Sequence, residues 1–184
     1  MTKNSNGLVQ NKVVTALLQA YLDILDYDGM KSILKEAGEL DLKDRRDTNP
    51  EEYINLTPFQ NILSAQDVLL FNSFQLLFTI GKKFSFYLFP FGKNFQESIK
   101  EITELIRTDW NVTILQKTSD QINLEIENCL FCSQIDNSCD LFIGFIVHTL
   151  EKTLSAAEKV EYEITKKADN RFFLTLTIKK KNKL

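Results

Sequence analysis

The sequence predicts an α+β domain: about five helices packed on a four-stranded antiparallel sheet in two layers. Three observations lead there. Ile122, Leu124 and Ile126 alternate with Asn123, Glu125 and Glu127, the period-two pattern of a strand with one buried face. The same alternation returns in Val160, Tyr162 and Ile164, and again in Leu174, Leu176 and Ile178. Between these strands, Leu141 to Leu154 carries Ile143, Ile146, Val147, Leu150 and Leu154 at helical spacing, with Phe142 and Phe145 beside them. A helix apolar on more than one side is a buried helix. One apolar sheet face covered by helices is a two-layer domain.

The elements follow in order. Residues 1–7 are polar and read as disordered. From Leu8, the positions Val13, Val14, Leu17, Leu18, Tyr21, Leu22 and Leu25 form an apolar helical stripe. Asp26-Tyr-Asp-Gly29 stops that helix, with Gly29 suited to its C-terminal cap. A shorter helix shows Ile33, Leu34, Ala37 and Leu40 on one face. Asp41 to Thr57 reads as an exposed loop with one helical turn. Ser64-Ala-Gln-Asp67 has the form of a capping box, opening a helix with Leu69, Phe71, Phe74, Leu77, Phe78 and Ile80. Phe84 to Phe91 is either a strand or a continued helix ended by Pro90. Asn94 caps the next helix, which carries Phe95, Ile99, Ile102, Leu105 and Ile106, and Trp110 closes it. Val112 and Ile114 open the first strand of the sheet, Ser119-Asp120 turns into the second, and Ala168-Asp169-Asn170 turns between the last two. The domain spans 8–180, and 181–184 is a basic tail.

Composition bounds the function. A chain of 184 residues that is 43% hydrophobic builds one sizeable core. Its net charge of −3 and pI of about 5.3 argue against a nucleic-acid surface. Three clustered cysteines do not make a secreted disulfide framework. Met1 to Gly7 lack the apolar core of a signal peptide, so a reducing cytoplasm is the expected setting. Val68 to Phe91 is interrupted by Asn72, Ser73, Gln75, Gly81, Lys82 and Lys83, which argues against a membrane span.

Candidate chemistry concentrates at Cys129, Cys132 and Cys139. A Cys-x-x-Cys pair with a third cysteine after a six-residue loop supplies three zinc ligands. Asp136 or Asp140 is nearer as a fourth than His148, the only histidine. Small half-buried thiols or a redox pair are the competing readings. His148 reads as a satisfied histidine on a packed helix. Glu161 and Glu163 share one strand face and read as its solvated side. No Ser-His-Asp set and no glycine-rich phosphate loop exists, so the chain is read as no enzyme. Lys179 to Lys183, with Lys166 and Lys167, form either a solvated tail or a contact with an anionic membrane. Eight of the fourteen phenylalanines fall between Phe71 and Phe95. Phe71, Phe74, Phe78, Phe84 and Phe86, with Ile143 and Val147 of the buried helix, line an apolar cavity, form a subunit interface, or are plain core.

Cys129-x-x-Cys132, a short loop, Cys139, then Gly144-Phe145-Ile146 and two closing strands with an acidic residue in the first, resemble the vinyl-4-reductase-type domain. That family shares its fold with small subunits of the transport protein particle (TRAPP) tethering complex and with haem nitric-oxide-binding-like domains. The resemblance covers residues 8–180. It implies a non-enzymatic TRAPP-like assembly or vesicle-tethering module of the Golgi transport fold, a homodimer or a partner of related subunits, pairing through its helical half. Its alternative implication is a sensor or carrier domain for a small apolar ligand, with zinc near Cys129. The family's two later cysteines are replaced here by Ile164 and Phe172. Haem-binding relatives place their histidine in the N-terminal helical half, where this chain has none, so the resemblance implies no haem. Residues 1–128 hold no cysteine, so no covalent acylation carries over either.

Overall fold

A computed structural model of the chain describes residues 7–47, 49–90, 93–133, 135, 138–168 and 170–181. Three expectations lie outside these residues: the disordered start over 1–6, the tail from 182 onward, and the roles of Phe91, Asp136 and Asp169.

The chain opens with a short strand, β1 (Leu8–Gln10), which leads directly into α1 (Asn11–Glu36). The break expected over Asp26–Gly29 falls at its first residue, not at the glycine. Asp26 leaves helical geometry at φ 61°, and its Oδ1 accepts hydrogen bonds from the Asp28 and Gly29 amides at 2.9 and 3.0 Å. Asp26 therefore caps the second half of α1, the ordinary work of an aspartate at a helix start. Gly29 is needed for space, because a Cβ there would lie 2.6 Å from that of Leu25.

In the segment expected as a loop with one helical turn, a 3₁₀ helix (Leu40–Asp47) precedes β2 (Tyr53–Asn55). Next comes α2 (Thr57–Leu69), which starts seven residues before Ser64 with a proline in its first turn. The expected capping box thus lies inside a helix. Asn55 Oδ1 accepts from the Thr57 amide at 2.8 Å at the true start. The chain turns through Asn72 (φ 59°) into α3 (Phe74–Leu88), so the helix expected from Ser64 through Ile80 is two. The continued-helix reading of Phe84 onward holds, since α3 runs through Gly81 to Leu88 before Pro90. At α4 (Phe95–Leu105), Asn94 caps as expected, accepting from the Glu97 amide at 2.9 Å.

The remaining elements are β3 (Ile106–Arg107), β4 (Asn111–Lys117), β5 (Gln121–Glu127), α5 (Asp140–Glu151), β6 (Glu158–Ala168) and β7 (Arg171–Lys180). The expected four-stranded antiparallel sheet forms in the order β4-β5-β7-β6, beside an unforeseen three-stranded sheet in the order β2-β1-β3. Ile122, Leu124 and Ile126 of β5 and Phe172, Leu174 and Leu176 of β7 are buried on one face. Edge strand β6 leaves Tyr162 and Ile164 exposed.

Helix α3 packs on both α1 and α5. Its contact with α5 is backbone to backbone: a Cβ on Gly81 would lie 1.9 Å from the Leu141 carbonyl oxygen, and one on Gly144 would lie 2.1 Å from that of Phe78. Ser85 and Thr149 hydroxyls pair at 2.8 Å within the interface, and Lys82 bridges to Glu151 at 2.7 Å at its margin. Gly81→Ala and Gly144→Ala are each expected to cost about 3 kcal/mol through overpacking. Gly38→Ala, in open space at φ +72°, is expected to cost only about 1 kcal/mol of backbone strain. Urea midpoints of the three variants measure this; equal midpoints for all three would refute the close approach.

Candidate functional site

The interior between helices and sheet is a continuous set of aromatic rings, and its hub was not foreseen. Phe131 stacks on Phe142 at 5.2 Å between centroids and meets Phe59, Phe84 and Trp110 at 5.9, 5.9 and 5.6 Å. Phe145 continues the set, stacking on Phe142 at 5.8 Å and tilting against Phe84 at 5.0 Å. Such pairs add about 0.5–1.5 kcal/mol each beyond the area they bury. The indole N–H of Trp110 is satisfied by the Ile106 carbonyl at 2.9 Å, which lets that ring sit in the core.

The turn that delivers Phe131 is the cysteine segment. Asn128, at the end of β5, takes a left-handed conformation (φ 49°) and donates its side-chain amide to the Asp109 carbonyl at 3.1 Å. Left-handed geometry is more accessible to asparagine than to most residues. It turns the chain inward, so that Phe131, inside Cys129-x-x-Cys132, is driven into the ring cluster. Ser133 N–H bonds the Ser138 carbonyl at 2.8 Å to close the loop, and Cys139 stands at the N-terminus of α5. The three cysteine sulfurs lie within 4.8 Å of one another. Cys132 and Cys139 are joined as a disulfide, and Cys129 stands beside it, half-buried. Two of the three expected ligands are thus tied to each other in this form.

The phenylalanines of the expected cavity or interface divide. Phe84 is fully buried in the ring cluster, and Ile143 and Val147 are buried on α5. Phe78 is half-buried and stacks on Tyr162 at 5.5 Å. Phe71, Phe74 and Phe86 are exposed on the outer side of the helical half. Of the carboxylates, Glu161 pairs with Lys159 and Lys179 on the outer side of the sheet. The two ammonium groups hold its carboxyl near 2.

His148, expected as a satisfied histidine on a packed helix, departs from that expectation. It lies on α5 with its Nδ1 buried and without a hydrogen-bond partner. Burial pushes the imidazole down to about 4, with Lys152, Lys82 and Lys83 reinforcing the shift and Glu151 opposing it. It is therefore a neutral, partly buried imidazole in a cationic setting. Lys152, one turn on, donates to the Ser85 and Phe89 carbonyls at 3.2 and 2.8 Å, and burial lowers it to about 8.

No protein-family model and no curated protein matches the chain. Solved structures do, over nearly the whole length. An oxygen-binding H-NOX domain related to soluble guanylate cyclases superposes with a TM-score of 0.61 at 17% identity, covering 93% of this chain and 95% of that one. A point variant of the T. tengcongensis H-NOX domain gives 0.62 at 17% identity, covering 93% and 98%. A structure concerned with haem redox potential and porphyrin distortion gives 0.56 at 18% identity, covering 93% and 99%. The fold is therefore the H-NOX fold. These neighbours overturn the resemblance to vinyl-4-reductase-type and TRAPP domains, and with it the tethering, vesicle and Golgi-transport reading. They also tell against the expectation of no cofactor beyond zinc, since solved structures among them are concerned with haem redox potential and haem distortion.

Whether haem fits this chain is decided by its own residues. A haem iron needs an axial histidine, cysteine, methionine or tyrosine. His148 is the sole histidine; its Nδ1 is buried without a described partner, and Lys152, Lys82 and Lys83 act on the imidazole. Tyr21 is fully buried and its hydroxyl is spent on Gln66 Oε1 at 2.8 Å. Cys129 and Cys132 flank Phe131, which stacks on Phe142, and Cys132 is bonded to Cys139. The residues present do not fit a histidine-ligated haem, and a thiolate-ligated one would have to displace the aromatic cluster.

Two outcomes test this geometry. Because His148 is held neutral when folded, the unfolded chain takes up the extra proton between pH 6.5 and about 4. Stability therefore falls as pH drops through that window, and His148→Gln is expected to flatten the fall, as read by urea unfolding at stepped pH. Thiol titration of denatured, unreduced protein is expected to find one thiol per chain, rising to three after reduction.

Proposed function

We propose that this chain is a ligand-responsive sensor domain on the H-NOX fold that takes a small apolar ligand in its aromatic interior without a histidine-bound haem. The observation that carries the reading is the position of Phe131. One ring, delivered by the β5–α5 turn, touches residues of α2, α3, α5 and the β3–β4 connection at once. An apolar guest that displaces or reorients it acts on all four elements together, which is how occupancy of a core becomes a change in shape. Near-complete coverage of H-NOX neighbours, one of them named as oxygen-binding and related to guanylate cyclases, supports a sensor role by analogy of fold. No catalytic constellation is needed for this role, and the reading is of a binding protein, not an enzyme. Among the described residues no helix is long and apolar enough to cross a membrane. A cytoplasmic setting belongs to the proposal, with the Cys132–Cys139 pair held as thiols there and bridged only under oxidising conditions.

Ligand-linked melting tests it. A benzene- or indole-class ligand is expected to raise the melting midpoint of the intact chain, because anything that binds only the folded state stabilises it. Phe131→Ala is expected to cost about 3–5 kcal/mol and to respond more strongly, since an apolar cavity left by a lost ring takes up such ligands. Hemin is expected to leave the midpoint unchanged and its absorption band unsharpened. No response of either protein to any apolar ligand would overturn the interior as a binding site; a sharp, stoichiometric haem band would overturn the fit argument.

A further inference from the structure

At the end of the large sheet opposite the cysteine turn lies a cleft of ≈ 530 Å³, bounded by the start of α4, the β4–β5 turn, the end of α5 and β7. That volume falls within the range of about 300–1,000 Å³ typical of small-molecule sites. Its lining has two parts. Apolar surface comes from Phe95, Ile122, Leu150, Leu154 and Ile178, and charge comes from Lys93, Lys117 and Lys152, with no acidic residue among the lining side chains.

The three cations differ in how they are held. Lys93 Nζ is matched by Glu101. Lys152 is half-buried and held by two neutral carbonyls, and no described carboxylate pairs with it or with the exposed Lys117. Burial lowers the Lys152 ammonium to about 8, the mark of a charge that has lost water without gaining a counter-ion. The cleft also meets the N-terminus of the 11-residue α4, whose peptide dipole adds positive potential there. Thr118, Ser119 and Thr153 also line the cleft, but their hydroxyls donate to Asp120 Oδ1 and the Leu150 carbonyl, so the lysines alone supply the cationic head. Cationic head and apolar floor in one cleft describe a ligand with both characters.

We propose that this cleft binds an amphiphilic carboxylate of the fatty-acid class, its head between Lys117 and Lys152 and its chain along Ile122, Leu154 and Ile178. The site stands apart from the aromatic interior. It gives the domain a second input that reports at the C-terminal end of α5 and at the Lys152 contacts with the Ser85 and Phe89 carbonyls of α3 and its C-cap.

The experiment is isothermal titration of the full chain with dodecanoate, below its micelle concentration, beside dodecanol and acetate. One site per chain is expected for dodecanoate, with dodecanol and acetate each at least about tenfold weaker, the scale of one charge-assisted contact. Lys152→Met and Lys117→Glu are each expected to weaken dodecanoate about tenfold, while Lys100→Met leaves it unchanged. Lys117 is exposed, so that variant remains informative even if Lys152→Met folds poorly. Saturating benzene is expected not to displace dodecanoate, which separates failure of this site from failure of the interior reading. Equal binding of the acid and the alcohol, indifference to both lysine substitutions, or no binding overturns the proposal. So does binding only to phosphatidylglycerol vesicles, which would make the lysines a membrane contact.

Discussion

The contact on which the rest of this structure depends is the backbone approach of α3 and α5 at Gly81 and Gly144. Two helices this close leave no space for a guest between them at that crossing, and the approach fixes their rotation. Phe84 is thereby set against Phe145, Ser85 against Thr149, and Lys82 against Glu151. With α5 fixed on one side by α3, its other faces meet the large sheet and the cysteine turn. Phe142 then becomes the platform on which Phe131 stacks. His148 lies on the same helix, partly buried.

Some solved structures of this fold are concerned with haem, and in this chain the described interior is packed with aromatic rings. A cofactor in a protein core is also a packing element, and the space has to be filled by something. In this chain six aromatic side chains from helices, turns and a strand connection fill it. The chemistry left over is of two kinds: a compact set of sulfurs at one end of the sheet and a cleft at the other in which Lys117 and Lys152 have no described carboxylate partner. Strand β5 and helix α5 run between those ends, so both are mechanically connected to the core without belonging to it.

Much of the fold was legible because it rests on periodicity. The alternation in β5 and β7 and the nearly all-apolar α5 are strong, local signals, and the Asn94 cap has its own side-chain chemistry. What was hidden has equally physical reasons. Strands of two or three residues, such as β1 and β3, have no alternation to read, and their pairing is set by distant chain. Ser64 fits a capping box in sequence, but Asn55 and Pro58 had already started the helix. Gly81 reads as a stop in isolation; only the proximity of Leu141 shows that it is a contact. For the site, the cysteines attracted notice by their chemistry, while the residue between them, Phe131, organises the interior. The signal for it was the asparagine after the strand, which ends the alternation and turns the next apolar side chains inward. The resemblance built on the cysteine spacing led to the wrong relatives, because three residues of spacing carry less information than the superposition of a whole chain.

Amide hydrogen exchange resolved along the chain tests the central claim that the α3–α5 lock and its ring cluster form the most stable unit of the protein. The account predicts that amides of 77–88 and 141–150 exchange only through global unfolding, with the free energy measured by urea. Exchange of α5 through a local opening well below that value would contradict it, and would mean that the α3–α5 pair is loosely held.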